Sequence, residues 1–316
     1  MRAGTRLTVL VASIVFLDIA LWSAIVPLLP RWQDDIGLGK GAAGLVVGVY
    51  GGAVLVAALP VGRFADRVGP RSITVVSTGI FAASIPLLGV VDTVWQLIAV
   101  RALQGLCSAV SWTAGVAWLA ASVPSERRGS ALGTVNGSAA LGALVGPALG
   151  GPLVTAVGLE AAMLAIGACM LAAFAWTLFE PAPPRGGTHE PVELRQAARM
   201  SVRDRSLRAA YVGILYVSVT SGVVQVLGPL HLSAEGLSDA AIGWAFTAAA
   251  AVGAAVTFLA GRLADRVDRI RLSLAGTALL GGAVAILALF PASAPYVLAI
   301  VLESAFNAVV FVVAFP

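Results

Sequence analysis

Residues 62–71 read Gly62-Arg63-Phe64-Ala65-Asp66-Arg67-Val68-Gly69-Pro70-Arg71, and the pattern returns at Gly261-Arg262-Leu263-Ala264-Asp265-Arg266-Val267. A shift of 199 residues aligns 30–68 with 229–267 without a gap, bringing Pro30 onto Pro229, Gly37 onto Gly236 and Gly44 onto Gly243. Matched alanines or leucines carry little weight in so apolar a chain, but charged residues, glycines and prolines matched at one offset do. The chain is therefore built from two halves of parallel topology. In each copy the glycines are expected to permit a tight turn and close helix approach. The aspartate can accept hydrogen bonds from a nearby helix start and pair with arginine. The second copy is degenerate, with Asp268 in place of the second glycine.

On either side of these loops the chain is too apolar to be soluble. Hydrophobic residues make up 59% and charged residues 11% of its 316 positions, against about 25% charged in ordinary soluble domains. A spanning helix needs roughly 20 apolar residues. Ten runs of about that length occur, near 7–29, 42–61, 73–91, 94–120, 130–154, 156–179, 208–230, 240–260, 272–291 and 294–315. With the N-terminus inside, 17 of the 20 basic residues fall in or next to inside segments; only Arg31 and Lys40 fall outside, and Arg101 lies within a run. That is a strong positive-inside bias. It accounts for the net charge of +4 and removes the need for nucleic acid as a partner. The basic start at Arg2 and Arg6 could mimic a signal peptide, but the run that follows is too long for one.

The expected organisation is a six-helix bundle over 1–180, a cytoplasmic linker over 181–207 and a partial four-helix bundle over 208–316. Since six helices face four, the chain is expected to be a fragment or a truncated product.

Several motifs carry chemistry. In the first run, Phe16-Leu17-Asp18-Ile19-Ala20-Leu21-Trp22 puts Asp18 about eleven residues in, roughly 16 Å deep and near the midplane. An intramembrane carboxyl is a functional-site hypothesis by default and can load and release a proton; the alternative is a structural Asp bonded to a nearby backbone or to Arg101. The fourth run holds Arg101-Ala102-Leu103-Gln104-Gly105. Arg101 either faces a wet cavity or an acid, or snorkels to the outer interface past Trp95. The fifth run holds Gly142-Ala143-Leu144-Val145-Gly146-Pro147-Ala148-Leu149-Gly150-Gly151, small residues at four-residue spacing for close helix contact with a helix-bending proline. Glu303 in the tenth run stands opposite Gln104 at the repeat offset, and Trp22 and Trp112 could stack on a ligand or face lipid. Cys107 and Cys169 form no CxxC and read as small buried apolar residues. Gly39-Lys40-Gly41-Ala42-Ala43-Gly44 satisfies a dinucleotide-type glycine pattern but has no strand before it. No Walker A sequence occurs, and His189 and His231 have no metal-ligand spacing around them, so neither cofactor nor metal is expected.

Residues 62–71 resemble the loop signature of the major facilitator superfamily, between its second and third helices. Arg101–Gly105 resembles that family's Arg-x-x-Gln-Gly pattern, and Pro124-Ser125-Glu126-Arg127-Arg128-Gly129 its Pro-x-x-x-Arg-Gly turn. The ten residues from Gly142 to Gly151 match the Gly-x-x-x-Gly-Pro-x-x-Gly-Gly signature of its antiporter branches, and the first run is similar to helix one of twelve-helix drug:proton antiporters. The resemblance implies an all-α membrane fold of two pseudo-symmetric bundles, a gating loop that latches against an eleventh helix, and a central cavity lined by helices one, four, seven and ten. It further implies a monomeric, proton-coupled exporter of small amphipathic or cationic molecules in the inner membrane, with Asp18, Arg101, Gln104, Glu303, Trp22 and Trp112 as candidate proton and substrate residues. An uptake symporter and a non-transporting membrane partner are the alternatives; an intramembrane enzyme is disfavoured for lack of a catalytic constellation.

Overall fold

A computed structural model of the chain describes residues 3–182, 205–264, 269–290 and 292–314. Among the described residues every regular element is helical. In lipid each backbone N–H and C=O must be satisfied within the segment, which a helix achieves and an open strand does not. The helices are α1 (Ala3–Ala24), α2 (Leu29–Ile36), α3 (Lys40–Val68), α4 (Pro70–Ser84), α5 (Val94–Val110), α6 (Val116–Ser122), α7 (Ser125–Ala148), α8 (Val154–Val157), α9 (Leu159–Phe179), α10 (Arg205–Ala234), α11 (Asp239–Ala264), α12 (Arg269–Leu289) and α13 (Ser293–Ala314). Nine stretches among the described residues are long and apolar enough to cross a membrane. The ninth run, near 272–291, is present only as a shorter apolar stretch, Leu274–Leu287 of α12.

Two spans are interrupted by π-helical turns. Ser111–Gly115 joins α5 to α6, and Leu149–Leu153 joins α7 to α8. The second follows Pro147, whose missing N–H and ring bulk loosen the ladder there, as the sequence leads one to expect. Boundaries elsewhere follow local chemistry. Thr93 and Gln96 form a reciprocal capping box at the start of α5, satisfying two orphan donors. Gly37 ends α2 at φ 68°, and Gly236, its mate at the repeat offset, has φ 88°, a conformation that carries no steric penalty only for glycine. The equivalence of the halves thus extends to backbone conformation at this pair.

The chain divides into two compact units, one comprising Met1–Gly186 with Ser238–Trp244, the other Gly187–Leu237 with Ala245–Pro316. In the first unit α1 packs chiefly on α7, α3 on α5 and α4 on α9. Gly142, Gly146 and Gly150 set the α1–α7 contact: a Cβ on any of them would collide with α1, at Phe16 O, Ala20 O and Ala24 O respectively. Gly105 of α5 lies equally close to Tyr50 O of α3. The outward faces carry large exposed apolar side chains such as Leu55, Val56, Leu171 and Phe179. Water would not tolerate so many contiguous apolar groups, whereas lipid does. In the second unit α13 packs against α10 and α12 around Val217, Leu280 and Val310, with Tyr216 and Phe306 alongside. Gly253 of α11 lies against Ser304 of α13. At the repeat offset Ser304 is the mate of Gly105, so a close crossing recurs at one place in each unit, with the glycine on opposite partners.

Three expectations need correction. Gly62 lies inside α3 and makes no turn; the reversal falls wholly at Gly69, φ 97°, with Pro70 opening α4. The physical reason is that Gly62–Val68 satisfy their backbone hydrogen bonds by continuing the helix. Asp66 is exposed and neither caps a helix nor pairs with arginine among the described residues. Cys169 is exposed on α9, unlike buried Cys107; both are free thiols. In the second copy of the loop Gly261 continues α11, while the Arg262 side chain, and Asp265 and Arg266 altogether, lie outside the described residues, as does most of the 181–207 stretch with His189.

Candidate functional site

Asp18, in the middle of α1, is 0% exposed. Helix–helix contact brings two hydroxyls to it. Tyr50 of α3 donates its phenol proton to Asp18 Oδ1 at 2.5 Å, and Ser108 of α5 donates to Oδ2 at 2.7 Å. The phenol can reach because Gly105 lets α3 and α5 approach to backbone contact at Tyr50. Each carboxylate oxygen thus holds a short, charge-assisted bond.

Arg101 is 1% exposed, so it does not snorkel to the interface. Its Nη1 donates to Gln104 Oε1 at 2.9 Å, and its guanidinium carbon stands 4.5 Å above the centroid of the Tyr50 ring. A cation over an aromatic face in a desolvated place gains about 2 kcal/mol. Among the described residues Arg101 does not pair directly with Asp18 within ion-pair distance and no backbone group bonds to the Asp18 carboxylate; its partners are the two hydroxyls. Tyr50 instead joins acid and base, its hydroxyl on the carboxylate and its ring under the guanidinium. Two donors of the cluster, Arg101 Nε and Gln104 Nε2, are buried without a hydrogen-bond partner among the described residues. Buried donors without partners are costly and at a functional site mark where a ligand or water can bind.

Trp22 follows Asp18 by one turn and Trp112 follows Ser108 by one turn; both are half-buried, and neither indole N–H is hydrogen-bonded among the described residues. A cavity of ≈ 730 Å³ opens near the start of α1, among the hydroxyls of Thr5, Thr8, Ser130 and Thr134 with Glu126 and Arg127 at its edge. Along α1 it begins roughly 15 Å from Asp18.

The second unit has its own buried acid. Glu303 of α13, 5% exposed, accepts from Ser221 Oγ of α10 at 2.9 Å and from Asn307 Nδ2 at 3.3 Å; Asn307 also donates to Ser221.

The glycine–proline stretch does two jobs. Gly142, Gly146 and Gly150 hold α7 against α1 on either side of Asp18, while Gly151 meets Asp239 O and Gly243 Cα of the short segment 238–244 that belongs to the same unit. Of the gating-loop residues, Arg63 and Arg67 are exposed. Arg71 is engaged: Nε donates to Glu180 O at 2.6 Å, and Nη2 to Leu178 O at 2.9 Å. These are end carbonyls of α9, which have no intrahelical partner and carry the negative end of the helix dipole. The Glu180 side chain, 3% exposed, pairs with Arg6 Nε at 3.3 Å and accepts from Trp176 Nε1 at 3.0 Å.

Sequence inspection missed Tyr50, Ser108, Ser221 and Asn307. Tyr50 sits in a glycine-rich run that reads as generic close packing, and a serine in an apolar helix carries no chemical signature alone. Among the described residues no group of three His, Cys, Asp or Glu side chains is arranged to hold a metal.

A model of the Major Facilitator Superfamily matches residues 11–316. The chain belongs to that superfamily of membrane transporters. It is 27% identical over 268 residues to the multidrug resistance protein MdtG of Escherichia coli O9:H4, covering 81% of this chain and 64% of that protein. The chain spans about half the length of the curated relatives it matches. In fold it resembles a bacterial homologue of the human lysosomal transporter Spinster in an inward-facing, unoccupied conformation, with TM-score 0.80 at 17% identity over 99% of this chain and 74% of that one. It also resembles a D-xylose–proton symporter, with TM-score 0.69 at 17% identity over 96% and 80% of the two chains.

Proposed function

We propose that this chain is a proton-coupled exporter of small amphipathic or cationic molecules, working by alternating access in the inner membrane with its N-terminus in the cytoplasm. The two bundles are residues 1–180 and 208–316, joined by a cytoplasmic linker. The observation that carries the reading is Asp18: a carboxyl buried inside a membrane span, held by two hydroxyls, with an arginine one aromatic ring away. Such an acid is costly to keep and marks a site of ion or substrate handling. With Asp18 ionised, its charge balances Arg101 and favours a cationic guest. A proton arriving from outside neutralises the carboxyl, leaves Arg101 as net positive charge, and drives a cation off. The two unpartnered donors on Arg101 and Gln104 supply hydrogen bonds to an acceptor on the same guest. Trp22 and Trp112 offer faces for its apolar part, and Glu303 is a second acid of the pathway. The basic inside loops support the orientation, and the likeness to MdtG proteins supports drug efflux.

The test is Asp18→Asn in everted vesicles energised with a pH gradient, with ethidium as the lipophilic cation. The substitution keeps the size of the side chain and removes its titration. Ethidium accumulation is expected to fall at least about tenfold while the purified variant keeps its elution profile. Undiminished accumulation removes Asp18 as the proton carrier. Uptake with a proton would use the same cluster. The glycine–proline stretch favours export, because it forms a smooth contact that can seal the pathway against leak, and the sign of the flux decides.

A further inference from the structure

Arg101 Nε and Gln104 Nε2 are buried donors with no hydrogen-bond partner among the described residues, on side chains that are 1% and 0% exposed. They form one patch. Gln104 follows Arg101 by one turn of α5, and the 2.9 Å bond from Arg101 Nη1 to Gln104 Oε1 keeps the two free nitrogens within about 7 Å of each other. The same bond engages the amide oxygen, so the free groups of the patch are N–H donors. Asp18 does not serve them: its two oxygens are held by Tyr50 and Ser108, and the Tyr50 ring stands between it and the guanidinium. A buried N–H without an acceptor is costly, so the patch calls for a ligand that accepts and need not donate.

The charge of this patch changes with Asp18. The titratable and charged side chains that act on Asp18 are Tyr50 of α3 with Arg101 and Cys107 of α5; α7 and α9, which also pack on α1, add none among the described residues. With Asp18 ionised, acid and base balance. With Asp18 protonated, Arg101 stays charged inside a span where an unbalanced charge is expensive. Water at the two donors would complete their hydrogen bonds but bring no charge. A monatomic anion does both, accepts N–H groups from any direction, and is large enough to bridge two nitrogens this far apart.

We propose that Arg101 and Gln104 form a binding site for a small inorganic anion with the chemistry of chloride, and that the site fills when Asp18 takes its proton. This rests on the reading of Asp18 as the proton carrier and names how its site is regulated. The anion takes the donors that held the guest's acceptor, so the guest and the proton-plus-anion pair exclude each other. The path from Asp18 Oδ1 through the phenol to the guanidinium carbon is at most about 10 Å. At that separation and an effective dielectric constant of about 20, one unit charge changes the affinity for another about tenfold or more.

The test uses the full chain purified in detergent with gluconate as the only anion. Sodium chloride is titrated in, and binding is read from the broadening of the chloride NMR line. Wild type is expected to bind chloride at least about tenfold more tightly at about pH 5 than at about pH 8. Asp18→Asn, neutral at either pH, should bind at the tighter level at both. Arg101→Gln and Gln104→Leu should each weaken binding at about pH 5 by about tenfold, whereas Arg127→Gln, at an exposed arginine of the same unit, should leave it unchanged. Equal affinity at the two pH values, unmoved by Asp18→Asn, overturns the proposal even where the same substitution abolishes ethidium transport and the proton-carrier reading stands. Binding that survives both Arg101→Gln and Gln104→Leu also overturns it, because the ions are then held at surface arginines only. Binding that follows pH and Asp18 as expected, in a chain whose transport ignores Asp18→Asn, keeps the anion site and removes the carrier reading.

Discussion

Gly142→Ala adds one methyl group where α7 crosses α1. Built on the backbone, that Cβ lies 2.5 Å from Phe16 O and 3.0 Å from Ala20 N, against a comfortable carbon contact of about 3.5 Å. Both obstacles are main-chain atoms of a helix, so no rotamer change relieves them, and α1 and α7 must separate by roughly 1 Å. Overpacking of this kind costs about 1–3 kcal/mol. The higher helix propensity of alanine returns about 0.5–1 kcal/mol, leaving a net loss of up to about 2.5 kcal/mol. Asp18 lies between Phe16 and Ala20 on α1, so the same movement disturbs its 2.7 Å bond from Ser108. Gly137, on the same helix, meets nothing within 4 Å, and Gly137→Ala is the matched control, expected to be neutral or stabilising. Thermal unfolding of both purified variants in one detergent, followed by intrinsic tryptophan fluorescence, measures the difference, and vesicle transport of the same preparations reads its effect on Asp18. If Gly142→Ala melts with or above Gly137→Ala, the close α1–α7 contact is not what holds Asp18 in place.

Two other substitutions separate contributions within the first unit. Tyr50→Phe keeps the ring beneath Arg101 and strips one hydroxyl from Asp18, leaving a buried carboxylate oxygen unpaired at a cost of about 1–3 kcal/mol; paired with Asp18→Asn in a double-mutant cycle, it should show a coupling above about 0.5 kcal/mol, and additive melting shifts would contradict the bond. Arg71→Met removes charge-assisted donors from the end of α9 and is expected to cost about 1.5–3 kcal/mol, whereas Arg67→Gln, at an exposed arginine with no hydrogen bond or ion pair among the described residues, should stay within about 0.5 kcal/mol. Equal or reversed shifts in thermal unfolding would contradict this ranking.

Membrane class, the positions of most long apolar runs and the repeat of the loop pattern are legible in the chain of residues alone; ten runs are expected, and nine stretches among the described residues are long enough to span. Each rests on a local quantity: hydropathy over about 20 positions, or a loop pattern at a fixed offset. Asp18, Arg101 and Gln104 stand out for the same reason, because an ionisable or strongly polar side chain is conspicuous against an apolar run. Their partners are not conspicuous. Tyr50 and Ser108 lie 32 and 90 residues from Asp18, and the rotation of each helix about its axis decides which of its side chains meets another helix. That rotation is set by close crossings such as Gly105 on Tyr50 O and Gly142 on Phe16 O. It likewise decides that Arg101 lies over a phenol ring and makes no ion pair with the acid, and that Arg71 reaches the end carbonyls of α9. Composition along the chain thus determines which segments enter the bilayer, since solvation by lipid acts on each segment separately. The pairing of groups inside the bundle belongs to tertiary structure, because it depends on contacts between backbones far apart in sequence.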